Sequence, residues 1–135
     1  MSGFKVTYKG DLSTEIEHLD SGSKITTDAP KDNQGLGRTF SPTDLVASSL
    51  ASCMITIIAI AKRTHSLNID AMNADVDKIM SSSLPRKISQ INVKISIQGN
   101  LDDKSKLIIE RSAKNCPVHH TLGSDTVIDL SFIYS

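Results

Sequence analysis

Neither GxGxxG nor GxxxxGK[ST] occurs anywhere in the 135 residues, so hydride transfer from a dinucleotide and phosphoryl transfer have no motif to rest on, and no cofactor is expected. Net charge is missing as well, since fifteen Lys and Arg balance fifteen Asp and Glu. With no excess of one sign the chain projects no field that would gather nucleic acid or an anionic membrane, and neither is expected as a partner. Cysteine is scarce. Cys53 and Cys116 stand alone and form no CxxC pair, which argues against a structural disulfide framework and leaves thiols that are free, catalytic or transiently bonded. Residues Met1 to Lys5 hold no apolar run and no small-residue cleavage site, so the expectation is a cytoplasmic protein. There are no repeats and no low-complexity tracts. With 39% hydrophobic residues the chain suits a single domain over 1–135.

What is present reads as an α+β fold. Short β-type runs at Phe4 to Tyr8, Thr14 to His18 and Lys24 to Thr27, punctuated by Lys9-Gly10-Asp11 and Asp20-Ser21-Gly22, predict an antiparallel meander. Asp28 to Thr39, with Pro30, Gly35 and Gly37 and no periodicity, is a loop. A helix start follows: Ser41 can cap, Pro42 suits the first helical position, and Asp44 stands where a capping-box acid reaches back. From Leu45 to Ala61 the chain is apolar or small nearly all round, which predicts a long buried central helix ending at Lys62-Arg63. Ser48, Ser49, Ser52 and Thr56 dilute it as a membrane span. Its small residues permit close approach of another helix. Leu67 to Met80 and Lys87 to Gln98 alternate and predict a hairpin across 81–86. A second helix, Lys104 to Asn115, runs into Cys116-Pro117, and Thr126 to Tyr134 is the last strand. The whole is α+β with a mostly antiparallel sheet.

By position alone Cys53, in mid-helix among Leu and Ile, reads as a small inert hydrophobe. Cys116 stands in a helix break, where a thiol is more often accessible. Cys116, His119 and His120 raise the question of a metal site. Zinc needs three or four ligands with a second spaced pair, and only Cys53 and His65 are left to supply one. No metal is expected, and the histidines read as surface polar residues.

Two longer motifs narrow the choice. Gly35-x-Gly37, Ser41-Pro42-Thr43-Asp44-Leu45 and Ala47-Ser48-Ser49-Leu50-Ala51-Ser52-Cys53, followed far downstream by Asn115-Cys116-Pro117-Val118-His119-His120-Thr121-Leu122, resemble the helix-entry and second-cysteine motifs of the OsmC/Ohr family, the osmotically induced and organic hydroperoxide resistance proteins. The resemblance implies an OsmC-like fold, an intertwined homodimer whose long helices pack together, and active sites at the dimer interface. It implies that Cys53 attacks an organic hydroperoxide and becomes a sulfenic acid, that Cys116 condenses with it to a disulfide, and that a dithiol reductant restores the pair.

Such chemistry needs Cys53 as a thiolate, and apolar burial opposes ionisation unless a cation sits close. The helix N-terminus is no help, because Cys53 lies ~18 Å along the axis from Ser41 at the usual rise per residue. Characterised hydroperoxide-resistance members supply an Arg from an early strand turn, held by a Glu at the helix start. Here the early turn carries Lys9-Gly10-Asp11, the helix-entry position is Thr43, and the acid comes one residue later at Asp44, a departure that resembles a more divergent branch. Arg38, held by Asp44, is the expected cation, with Lys9 in reserve. The alternative reading is a non-catalytic dimeric stress or small-ligand-binding protein of the same fold with incidental thiols.

Overall fold

The computed structural model describes residues 3–135. Chain contacts divide into two compact units, one running through Val46 and the other Ala47–Ser135. The first opens with β1 (Phe4–Gly10), β2 (Ser13–His18) and β3 (Lys24–Asp28), an antiparallel sheet in that order. The tight β1–β2 turn runs through left-handed backbone at Gly10, Asp11 and Leu12 (φ +92°, +53° and +61°), which explains a glycine at its first position. Register places Val6 opposite Ile16 and Ile16 opposite Ile25, so with Phe4 and Tyr8 they line one face of the sheet. Phe4, Val6, Tyr8 and Ile25 of that face are exposed, Phe4 by 72%.

The loop after β3 contains one 3₁₀ turn, Lys31–Asn33, and closes back on the strand end: Asp28 N–H donates to Phe40 O and Gly37 N–H to Ala29 O. A Cβ at Gly35 would lie 1.7 Å from the Ala29 carbonyl oxygen, so only glycine lets the two backbones meet there. Gly37 is left-handed at φ +60°. The glycine pair is thus loop architecture. Next comes α1 (Pro42–His65), opened by a reciprocal cap: Ser41 N–H donates to Asp44 Oδ2 at 2.8 Å and Asp44 N–H to Ser41 Oγ at 3.0 Å.

The second unit takes most of α1 and adds β4 (Ile69–Met80), β5 (Ile88–Gly99), α2 (Asp103–Lys114), α3 (Pro117–Thr121) and β6 (Val127–Tyr134). Its sheet order is β4-β5-β6, with β4 antiparallel and β6 parallel to the central strand. The parallel pair follows from α2, a crossover helix long enough to return the chain to the same end. Asp102 caps α2, Oδ1 accepting the Ser105 N–H at 2.8 Å. Ile91, Val93, Ile95 and Ile97 on alternate β5 positions are buried, and they share one core with Ile109 and Ala113 of α2 and the α1 stripe Ala47, Leu50, Ala51, Met54, Ile58 and Ala61.

Helix α1 is the long central helix expected. One stripe is buried, while Ser49, Ser52, Thr56 and Ile60 are exposed in the single chain. It is the one helix among the described residues long and apolar enough, by length and composition, to cross a membrane. It also runs beyond Arg63 to His65, where Ser66 turns the chain at φ +52°.

Candidate functional site: two neighbouring thiols

The second unit brings its two cysteines together. Cys53, at the start of the fourth turn of α1, is half-buried and packs against the core, and Cys116 is wholly buried between α2 and α3. Cys116 is the N-cap of α3: with Pro117 in the first helical position, Sγ of Cys116 accepts the His119 backbone N–H at 3.3 Å. The Cys53 side chain lies beside that of Cys116. Burial, and then the neighbouring Cys53 side chain, push the Cys116 thiol up from its ordinary value, against the opposing pull of the His119 and Val118 N–H groups. Burial therefore favours the protonated form of Cys116. Both cysteines are free thiols.

The expected accessibility of Cys116 is corrected by this packing, because the proline break that ends α2 starts another helix in place of an open loop. The histidines also differ from each other. His120 is exposed, with Nε2 and Asn115 Oδ1 3.0 Å apart. His119 is half-buried, its Nδ1 buried with no hydrogen-bond partner, and it lines a cavity of about 240 Å³ with Leu122, Gly123, Ser124, Thr126 and Ile128. Among the described residues no three His, Cys, Asp or Glu side chains gather as a metal site.

In the first unit, Arg38 is held by Asp28, where the sequence points to Asp44. Asp28 Oδ2 accepts Arg38 Nε–H at 2.8 Å, its Oδ1 accepts Nη2–H at 3.0 Å, and the Arg38 backbone N–H adds a third bond at 2.8 Å. The side-chain bond to Arg38, set against desolvation and helped by Ser13, holds the Asp28 carboxyl down at about 2, and Asp28 in turn raises Arg38. Asp44 instead belongs to the helix cap with Ser41, and Thr43 Oγ1 lies 3.1 Å from Ser41 Oγ. Sequence reasoning missed Asp28; its only signal is a carboxylate at the end of a strand that enters a loop carrying a single Arg.

Residues 31–131 match the OsmC-like protein family. The chain belongs to the OsmC-like family. The matched span takes in Gly35, Gly37 and Arg38 of the loop, the α1 entry and both cysteines. Among solved structures, a Psychrobacter arcticus protein described as osmotic-stress-induced and of the detoxification response is 45% identical, with a TM-score of 0.91, covering 98% of this chain and 96% of its own. An OsmC-like protein from Mycoplasma pneumoniae is 20% identical at a TM-score of 0.84, covering 99% of this chain and 96% of that one. An organic hydroperoxide resistance protein OsmC from Legionella pneumophila is 16% identical at 0.80, covering 98% and 96%. The two remoter likenesses show the shared OsmC fold. No curated protein matches the chain. Two of these three are named for stress, detoxification or hydroperoxide resistance.

Proposed function

We propose that this OsmC-like protein is a cysteine-dependent peroxidase that reduces organic hydroperoxides in stress defence, acting as a homodimer in a reducing compartment. The Cys53 thiolate attacks the distal oxygen of ROOH. The O–O bond breaks, ROH departs after taking a proton, and Cys53 becomes a sulfenic acid. Cys116 sulfur then attacks the Cys53 sulfur, a disulfide forms and water leaves. A dithiol reductant supplies two electrons and two protons, restoring both thiols and leaving as its own disulfide. Arg38, steadied by Asp28, is the cation proposed to stabilise the Cys53 thiolate, and Asp44 contributes by fixing the start of α1.

The observation that carries the reading is that two free thiols from separate elements, Cys53 of α1 and Cys116 at the start of α3, lie beside one another in the core. Incidental cysteines have no reason to meet from separate elements. A single equivalent of cumene hydroperoxide should remove both thiols of each chain and give an intramolecular Cys53–Cys116 disulfide, read by thiol titration and intact mass. Thiols that persist for hours would turn the reading toward a binding protein.

The dimer is supported by what a single chain leaves uncovered. Phe4, Val6, Tyr8 and Ile25 expose a contiguous apolar face on a three-stranded sheet, and α1 exposes the side opposite its buried stripe. Such surface marks an interaction site, and three strands need a covered face for stability. Both units then form parts of one OsmC-like domain completed by its second copy. Sedimentation at micromolar concentration should show a dimer, and a stable folded monomer would overturn it.

A further inference from the structure

We infer that oxidation uncaps α3: when Sγ of Cys116 enters the Cys53–Cys116 disulfide it gives up the His119 N–H, and the short helix after it loosens until the dithiol returns. The inference rests on the dithiol–disulfide cycle proposed above and goes beyond it by naming the element that reads the redox state. Cys116 serves both as a reacting sulfur and as a helix cap. The two uses compete.

Helix α3 depends on that sulfur more than a longer helix would. Its five residues, Pro117–Thr121, span little more than one turn, and a helix so short holds too few ladder bonds to stand by itself. Those bonds include His120 N–H to Cys116 O and Leu122 N–H to Val118 O, each at 3.1 Å. Pro117 brings no N–H to the first turn, so the donors there are those of Val118 and His119. Sγ of Cys116 accepts the His119 N–H at 3.3 Å and draws the Val118 N–H the same way. In α1 and α2 the same place is filled by oxygen, from Ser41 and Asp102, which disulfide chemistry does not touch.

A disulfide withdraws the acceptor in two ways. The bond to Cys53 holds Sγ about 2 Å from a second sulfur at a dihedral near ~90°, so its direction is set from α1 and no longer by the α3 N–H groups. A sulfur bonded to sulfur is also a weaker acceptor than a thiol, and a thiolate is the strongest of the three. Val118 of α3 and Leu122 at its C-terminal cap pack against the core, so loosening frees two apolar side chains along with the His119 N–H. The oxidised protein is thereby marked beside its own disulfide.

Diamide closes the disulfide by taking up both electrons and both thiol protons itself, so the test does not depend on hydroperoxide turnover. Intact mass registers the bond. Amide hydrogen exchange of the full-length, nitrogen-15-labelled protein is then compared between the reduced and oxidised forms by NMR. The His119 and His120 amides should exchange about 2- to 30-fold faster in the oxidised form, the range that deleting an N-cap spans. The Ser105 amide, capped by Asp102, should keep its rate. Cover by a second copy is present in both forms and does not enter the comparison. Cys116→Ala should exchange at the fast rate without oxidant, and Cys116→Ser, which keeps an oxygen cap, at the slow rate with or without diamide. Equal His119 exchange in the two forms, an acceleration that Ser105 shares, or no disulfide after diamide overturns the inference. Hydroperoxide consumption, assayed separately, judges the peroxidase reading: a protein that consumes no hydroperoxide yet shows the α3 contrast refutes that reading alone.

Discussion

Cys53→Ser should leave the fold intact and lower hydroperoxide consumption by at least about 10³-fold, because a hydroxyl without a paired base is a poor nucleophile and no second sulfur is exposed to replace it. The exchange is nearly isosteric at a half-buried position whose helical neighbours are already Ser49 and Ser52, so circular dichroism and unfolding should change little. Cys116→Ser should behave differently. Serine is a good N-cap, so the turn into α3 should survive with the hydroxyl accepting the His119 N–H in place of sulfur. The first turnover should then proceed at a normal rate and stop at Cys53 sulfenic acid, with further oxidation to the sulfinic state under excess peroxide. Dimedone labelling and mass spectrometry distinguish these states. Equal steady-state loss in the two variants with no trapped sulfenic acid in Cys116→Ser would deny Cys53 its role.

Why one cysteine was legible and its surroundings were not is a matter of range. The α1 entry could be read because a capping box is local: Ser41, Pro42 and Asp44 carry it within one turn, and the structure returns both reciprocal bonds. Strand β5 could be read because period-2 alternation is local too, and Ile91, Val93, Ile95 and Ile97 are all buried. The Arg38–Asp28 pair spans ten residues and exists only once the loop has folded back on β3. The one local hint was that the capping box already commits Asp44 to Ser41. The burial of Cys116 turned on one proline. Pro117 correctly marked the end of α2, but proline is also favoured in the first turn of a helix, and that second meaning built α3 and enclosed the thiol. An all-round apolar helix points to more cover than a single small domain supplies, but not to which stripe its own chain covers.

Arg38→Met should slow the alkylation of Cys53 by iodoacetamide at neutral pH, and slow hydroperoxide reduction with it. Only the thiolate reacts, and an opposite charge at contact range changes the ionised fraction of a thiol by about 10- to 1000-fold. Because the lost interaction favoured the charged form, the deficit should shrink as pH rises and vanish in alkali, where the thiol ionises unaided. Asp28→Asn separates the cation from its support: the charge stays but Arg38 loses the ionised fork that accepts Nε–H and Nη2–H. A smaller loss of rate is expected there, together with a change in acid stability. The sign follows from the carboxyl's position. Asp28 is held at about 2 in the folded protein, below the ~3.9 of an unfolded aspartate. Its contribution to stability is therefore complete above about pH 4 and is lost as the pH falls through about 2. Acid unfolding of Asp28→Asn should lack this component, and between pH 5 and 9 the pair in the wild-type protein stays ionised, so the alkylation profile there reports the cysteine alone. An Arg38→Met profile that overlays the wild type would remove Arg38 from the mechanism and move the search to Lys9.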